Sequence, residues 1–226
     1  MDLKQVIKDP IYLALVIFVI IAMFFGGFYG NFLILFLGWN LLLAGFTYFL
    51  VDIFIYLRKK RSHIALVLLI WFMFILFFPN TIYVMTDFIH LENYQFFIDY
   101  AEIYRYVLMD WVVLMIITIG ALLAAKIGIE SLEKMKPYHF EWIKKHYVIY
   151  LGLLFLASSI GIYIGRFIRL NSWEFHQIVS VIPQIIQKFS FFIGFIGIYM
   201  MIHLTAYFVM SSHAIGYTEI RKQTEE

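Results

Sequence analysis

Asp87 and His90 stand three residues apart in the run Thr86-Asp87-Phe88-Ile89-His90. On a helix that interval puts a carboxylate and an imidazole on one face, a spacing that metal ligands use. It serves a plainer purpose equally well, with Asp87 as a helix cap or ion-pair partner and His90 as a hydrogen-bonding group. A third metal ligand would have to come from Glu92 or Asp110. Arg166 and Arg169 repeat the interval, and two guanidinium forks on one helical face suit carboxylate or phosphate oxygens. They suit Asp87 or Asp110 just as well. The same side chains therefore admit two readings, an anion site or an internal salt bridge. Asn40, Asn80, Tyr83 and Asn171 would add neutral hydrogen bonds to either.

No reaction is legible beside these groups. The chain contains no Gly-x-Ser-x-Gly, His-Glu-x-x-His, Walker loop or dinucleotide fingerprint, so no organic cofactor is implied and enzyme status stays open. Cysteine is absent, which excludes disulfides, thiolate metal ligands and a cysteine nucleophile. The net charge of +2 gives no footprint for nucleic acid.

The elements that position these residues follow from composition. Of 226 residues, 63% are hydrophobic and 14% charged, and a soluble fold could not hide that much apolar surface. A helix needs about 20 apolar residues to cross a bilayer, and six stretches qualify: approximately 11–28, 32–57, 64–83, 107–129, 147–167 and 189–210. The first has no small-x-small cleavage pattern after it and reads as an uncleaved span. The expected fold is an all-α polytopic helix bundle, one transmembrane domain over residues 1–226.

Lys and Arg fix the orientation. With the N-terminus inside, the outer segments hold only Arg105, Arg166, Arg169 and Lys188 of the 17 basic residues, which predicts both termini in the cytoplasm. Two further segments carry too much charge or polarity to span and read as interfacial helices on the extracytoplasmic side. Residues 88–106 place Phe96, Tyr100, Ile103 and Val107 at helical spacing among Glu92, Asp99, Glu102 and Arg105. Residues 174–188 do so with Ile178, Ile182, Ile185 and Ile186, and Pro183 is expected to bend or end that helix. Asn40, Asn80, Asp87, His90, Asp110, Arg166, Arg169 and Asn171 then share the outer layer. Asp52 lies in the inner half of the second span, six residues from Arg58, and His203 lies inside the sixth, read as a packing histidine. Small residues four apart, Gly26 with Gly30, Gly120 with Ala124 and Gly128, and Gly161 with Gly165, point to close helix packing within the bundle.

Trp39-Asn40, Phe78-Pro79-Asn80 with Tyr83, Thr86-Asp87, His90-Leu91, Gly165-Arg166-Phe167 with Arg169, and Asn171-Ser172-Trp173 together resemble a family of bacterial multi-pass membrane proteins catalogued as a domain of unknown function. Gly128 and Ser131 belong to the same pattern. The chain departs from it at Thr47 and Ile82, where proline is usual. The resemblance covers nearly the whole chain and implies topology, a bacterial plasma membrane and a choice of residues, without a chemistry.

Two functions fit these observations. In one, a polar pocket open to the outer leaflet handles a lipid or small anionic ligand. In the other, the chain is a structural or accessory membrane subunit, its polar layer braced by internal salt bridges and its interfacial helices docked on a membrane-protein partner.

Overall fold

The computed structural model describes residues 9–98 and 103–211. Tyr100, Asp99 and Glu102, and the basic residues Lys4, Lys8, Arg221 and Lys222, lie outside the described residues.

The first two helices start where the sequence offers a side-chain cap. Asp9 accepts from the Ile11 amide at 3.0 Å and Pro10 fills the first turn of α1 (Pro10–Phe28), a position where its missing N–H costs nothing. Gly30, at φ +62°, turns the chain back, and Asn31 caps α2 (Phe32–Lys59) through the Leu33 and Ile34 amides. Next come α3 (Ile64–Phe77), the short α4 (Asn80–Tyr83) and a 3-10 segment, Val84–Asn93. Beyond it lies a two-stranded antiparallel ladder, β1 (Phe97–Ile98) with β2 (Ile103–Tyr104). The rest is α5 (Leu108–Met135), α6 (Glu141–Lys145), α7 (Tyr147–Tyr163) extended by a π turn (Ile164–Ile168), a 3-10 segment (Ser172–Val181), α8 (Ile182–Gln187) and α9 (Phe189–Met210).

Among the described residues, six helical stretches are long and apolar enough to cross a membrane: Pro10–Phe28, Phe32–Lys59, Ile64–Asn93, Leu108–Tyr138, Tyr147–Ile168 and Phe189–Met210. The protein is a multi-pass membrane protein. Its outward faces agree with that solvent, since Ile20 and Phe24 on α1 and Met201 and Phe208 on α9 are exposed.

The two 28-residue helices α2 and α5 organise the core. One buried cluster joins them to α1 through Leu15, Phe18, Leu37, Leu41 and Ile117. A second joins them to α3, α7 and α9 through Phe54, Phe74, Leu132, Phe155 and Tyr199. Close approach is set by the small residues. A Cβ on Gly26 would come within 2.6 Å of the Leu35 side chain, and one on Gly128 within 2.6 Å of Thr81. Gly26, Gly120, Gly128, Gly161 and Gly165 thus approach neighbouring segments of the same chain, whereas Gly30 lies in the turn with open space at its Cβ position.

Contacts sort the connections into two ends. At one end Asn31 donates to the Tyr94 hydroxyl at 2.9 Å, joining the α1–α2 turn to the segment after α4. At the other, the Arg58 Nε donates to the Tyr138 carbonyl, and Lys134 bridges Asp52 at 2.7 Å and Asp9 at 3.1 Å. Tyr12 and Tyr48 donate to the same two carboxylates. Asp52 therefore finds its partner on α5, from a part of the sequence that helical spacing does not reach.

The chain differs from the sequence reading in the connection after α4. The helix expected over residues 88–106 ends at Asn93 and gives way to the ladder, with Phe97 opposite Tyr104. Aromatic and β-branched residues favour that pairing, and the rings of Phe96 and Tyr104 both pack on Trp111, at 5.5 and 5.9 Å. The segment expected as one helix over residues 174–188 divides beside Pro183, the 3-10 segment ending at Val181 and α8 starting at Ile182, so that Pro183 sits in the first turn of α8, where it removes no hydrogen bond.

Candidate functional site

The site grows from a helix break. Pro79 cannot donate an N–H, so the third span loosens at Phe77–Pro79 and side chains take up carbonyls around the break. Asn80 Nδ2 donates to the Phe77 carbonyl at 2.9 Å and to Ser172 Oγ at 3.3 Å, and Thr81 Oγ1 donates to the Phe78 carbonyl. Thr47 of α2 also donates to the Phe77 carbonyl, at 3.0 Å, while α2 runs on unbroken through the position where the resembled family has proline.

Beyond the break the chain tightens into the 3-10 segment, in which residues three apart eclipse. Asp87 and His90 therefore stack, and both meet one guanidinium. Arg166 Nη2 lies 3.3 Å from Asp87 Oδ1 and donates to the Thr86 carbonyl, and its Nη1 lies 3.4 Å from His90 Nε2. An arginine only donates, so His90 Nε2 accepts and its proton sits on Nδ1. Asn40 completes the set from α2, its Nδ2 donating to Asp87 Oδ2 at 2.8 Å. Asp87 is fully buried and Arg166 largely so. The guanidinium also lies over the Tyr83 ring, 5.7 Å from its centroid.

Arg169 is built differently. The ladder of α7 widens into the π turn and stops at Arg169, which is left-handed at φ 64°, ψ 31°. The shared helical face expected of Arg166 and Arg169 does not exist, because the backbone between them is no longer an α-helix. Arg169 is exposed and forms no ion pair among the described residues. Asn171 is occupied with capping: its backbone N–H and Nδ2 both donate to Glu174 at 2.8 Å, closing a capping box at the start of the next segment. Those two N–H groups hold the Glu174 carboxyl below the ordinary carboxylate range.

A cavity of about 1370 Å³ brings these groups together between α2, α3, the 3-10 segment, α7 and α9. Its apolar wall includes Phe36, Leu43, Ile75, Ile160, Ile164 and Phe195. Asn40, Asn80, Tyr83, His90, Arg166, Arg169 and Asn171 line it, whereas Asp87 lies behind Arg166 and Asp110, half-buried in the first turn of α5, does not reach it. Sequence reasoning did not count Trp39, Tyr94, Ser172, Trp173 or Glu174 among the site residues, and raised Glu92 only as a metal ligand, yet all line the cavity. The two tryptophans offered a signal, since interfacial belts favour that residue.

No group of three or more His, Asp or Glu side chains able to hold a metal occurs among the described residues. Asp87 and His90 in particular share a guanidinium, which a cation would have to displace. His203 is settled as a packing group. Its Nδ1 donates to the Tyr199 carbonyl at 2.7 Å, and Ser158 donates to its Nε2 at 2.8 Å, both side chains being buried.

A family model described as a protein of unknown function, DUF1361, matches residues 39–214, a range that holds the whole polar layer from Asn40 to Asn171. The chain belongs to the DUF1361 family. No curated protein and no solved structure matches it. For this DUF1361 protein, function has to be argued from the cavity itself.

Proposed function

We propose that this DUF1361 protein binds an amphiphile, taking a lipid tail along the apolar wall of the cavity and a charged headgroup at its polar end. The observation that carries the reading is the joining, in one cavity, of an aliphatic and aromatic wall to Arg169, an exposed cation with no ion pair among the described residues. Arg169 follows the last residue of the fifth span, where an exposed guanidinium can meet a headgroup at the mouth of the cavity. The accessory-subunit reading draws on the Asp87–Arg166 bridge, which accounts for Arg166 and leaves both Arg169 and the cavity without a role.

The distribution of basic residues favours an outward orientation for the cavity end of the bundle. The opposite end carries Arg58, Lys59, Lys60 and Arg61 with Lys134, Lys136, Lys144 and Lys145 and faces the cytoplasm of a bacterial cell. The 3-10 segment after α4 and the segment from Ser172 to Gln187 then lie in the outer interface, and the cavity draws its ligand from the outer leaflet of the plasma membrane.

The test is saturable binding of diacylglycerol-chain lipids carrying a fluorescent tail label to the purified full chain in mild detergent. Ala157 lines the cavity from an exposed position on α7, so Ala157→Trp fills the space without entering the core. Leu153→Trp, on an exposed position of α7 outside the cavity, is the control. Loss of binding in Ala157→Trp alone supports the reading. Equal binding by both variants, or no saturable binding by the parent chain, overturns it.

A further inference from the structure

The charged residues that line the cavity are Arg166, Arg169, Glu92 and Glu174, and His90 lines it with them. Arg166 is neutralised from behind by Asp87, and His90 accepts from Arg166 through Nε2. This leaves one cation, Arg169, and two carboxylates, Glu92 and Glu174, none in an ion pair with a described residue. Glu174 stays ionised at neutral pH because the Asn171 N–H groups stabilise its charged form. A simple anion entering the cavity would meet one unpaired attractive charge and two repulsive ones.

From this balance of charge we propose that the headgroup is zwitterionic, a phosphodiester bearing an ammonium group, with the phosphate on Arg169 and the ammonium against Glu92 and Glu174. The guanidinium is the fork that phosphate oxygens fit. Trp39, Trp173 and Tyr94 line the same cavity, and aromatic faces attract an ammonium as the carboxylates do. Both tryptophans are about half exposed, at 48% and 49%, so their surface is open to a ligand. Arg169 is held at its left-handed backbone where an ordinary residue would be strained, and such conformations gather at ligand contacts. The inference rests on the amphiphile reading and adds the chemistry of the headgroup to it.

The experiment compares lipids with identical acyl chains: diacylglycerol, phosphatidylglycerol and phosphatidylethanolamine, each competing against a tail-labelled probe on the purified full chain. Phosphatidylethanolamine is expected to bind about tenfold more tightly than either of the others, the value of one charge-assisted contact. Arg169→Gln is expected to bring it down to the level of diacylglycerol, whose own binding stays unchanged. The double variant Glu92→Gln, Glu174→Gln is expected to bring phosphatidylethanolamine and phosphatidylglycerol to equal affinity. Glutamine still accepts in a capping box, so this variant keeps its fold. Phosphatidylglycerol binding as tightly as phosphatidylethanolamine to the parent chain, or a preference that survives in the double glutamine variant, overturns the zwitterion assignment. Diacylglycerol binding without any headgroup preference does the same and leaves the cavity reading standing. Failure of every lipid to compete, or competition by tail-free phosphoethanolamine as strong as by its lipid, overturns the cavity reading itself.

Discussion

Replacing Arg166 with glutamine strips a fully buried carboxylate of its only cation among the described residues. Asp87 would keep one hydrogen bond, from Asn40 at 2.8 Å, and lose Arg166 at 3.3 Å. Removing one partner of a buried ion pair costs about 3–5 kcal/mol, because the remaining charge stays desolvated. For a chain of this size about 1 kcal/mol corresponds to roughly 2–4 °C in melting temperature, so the variant should melt about 6–20 °C lower in detergent. Asp87→Asn should cost less, since Arg166 retains the Thr86 carbonyl and the His90 ring as acceptors. In the double variant no charge is left unpaired, and it should be more stable than Arg166→Gln alone. The double-mutant cycle should then show a coupling of about 2–3 kcal/mol. The assay is thermal unfolding of the purified chain followed by intrinsic fluorescence, with all variants in one detergent. Small, additive effects of the two single substitutions would refute the bridge as a brace.

Arg169 should behave in the opposite way. Glycine relieves its left-handed backbone, so Arg169→Gly should melt no lower than the parent, and gain up to about 1 kcal/mol in stability. A clear loss of thermal stability in that variant would mean Arg169 holds the fold. His139 gives a pH dependence. It is fully buried, both ring nitrogens lack a hydrogen-bond partner among the described residues, and burial, followed by the nearby charges of Arg58 and Lys144, lowers its pKa from 6.5 to about 4. Below pH 6.5 the unfolded chain takes up a proton that the folded one refuses until about pH 4, so stability is intact at higher pH and falls by about 2 kcal/mol at pH 5. His139→Phe should abolish that part of the fall between pH 7.5 and 5 in thermal melts, and an unchanged pH profile would show that His139 is not its source.

The spans were readable because hydropathy over about 20 residues is a strong signal, and boundaries such as 189–210 coincide with the helix Phe189–Met210. The polar layer was readable too, since charged and amide side chains stand out in an apolar sequence. Its geometry was not. Arg166 and Arg169 look equivalent at a three-residue interval, and only the π turn and the left-handed residue that closes it separate them. Asp87 meets Arg166 across 79 residues, a contact no local pattern encodes. The ladder over Phe97–Tyr104 was hidden because its aromatic residues also satisfy a helical period.

The sequence counts charges, whereas the fold pairs them, and the site is the remainder after pairing. Counting alone, Arg166 and Arg169 made the outer layer look like a receptor for anions. Subtracting Arg166 with Asp87 leaves Arg169, Glu92 and Glu174 lining one cavity, so the unpaired charge there is no longer positive. That subtraction reverses the electrostatic preference without changing a residue. A ligand must now bring a charge of each sign, and the aromatic faces of Trp39 and Trp173 supply the second attraction that an ammonium needs. Such a ligand gives Arg169 an anion and gives the two carboxylates a cation to share, using charges the internal bridge left unpaired, which is why the brace and the site belong to one layer instead of competing for it.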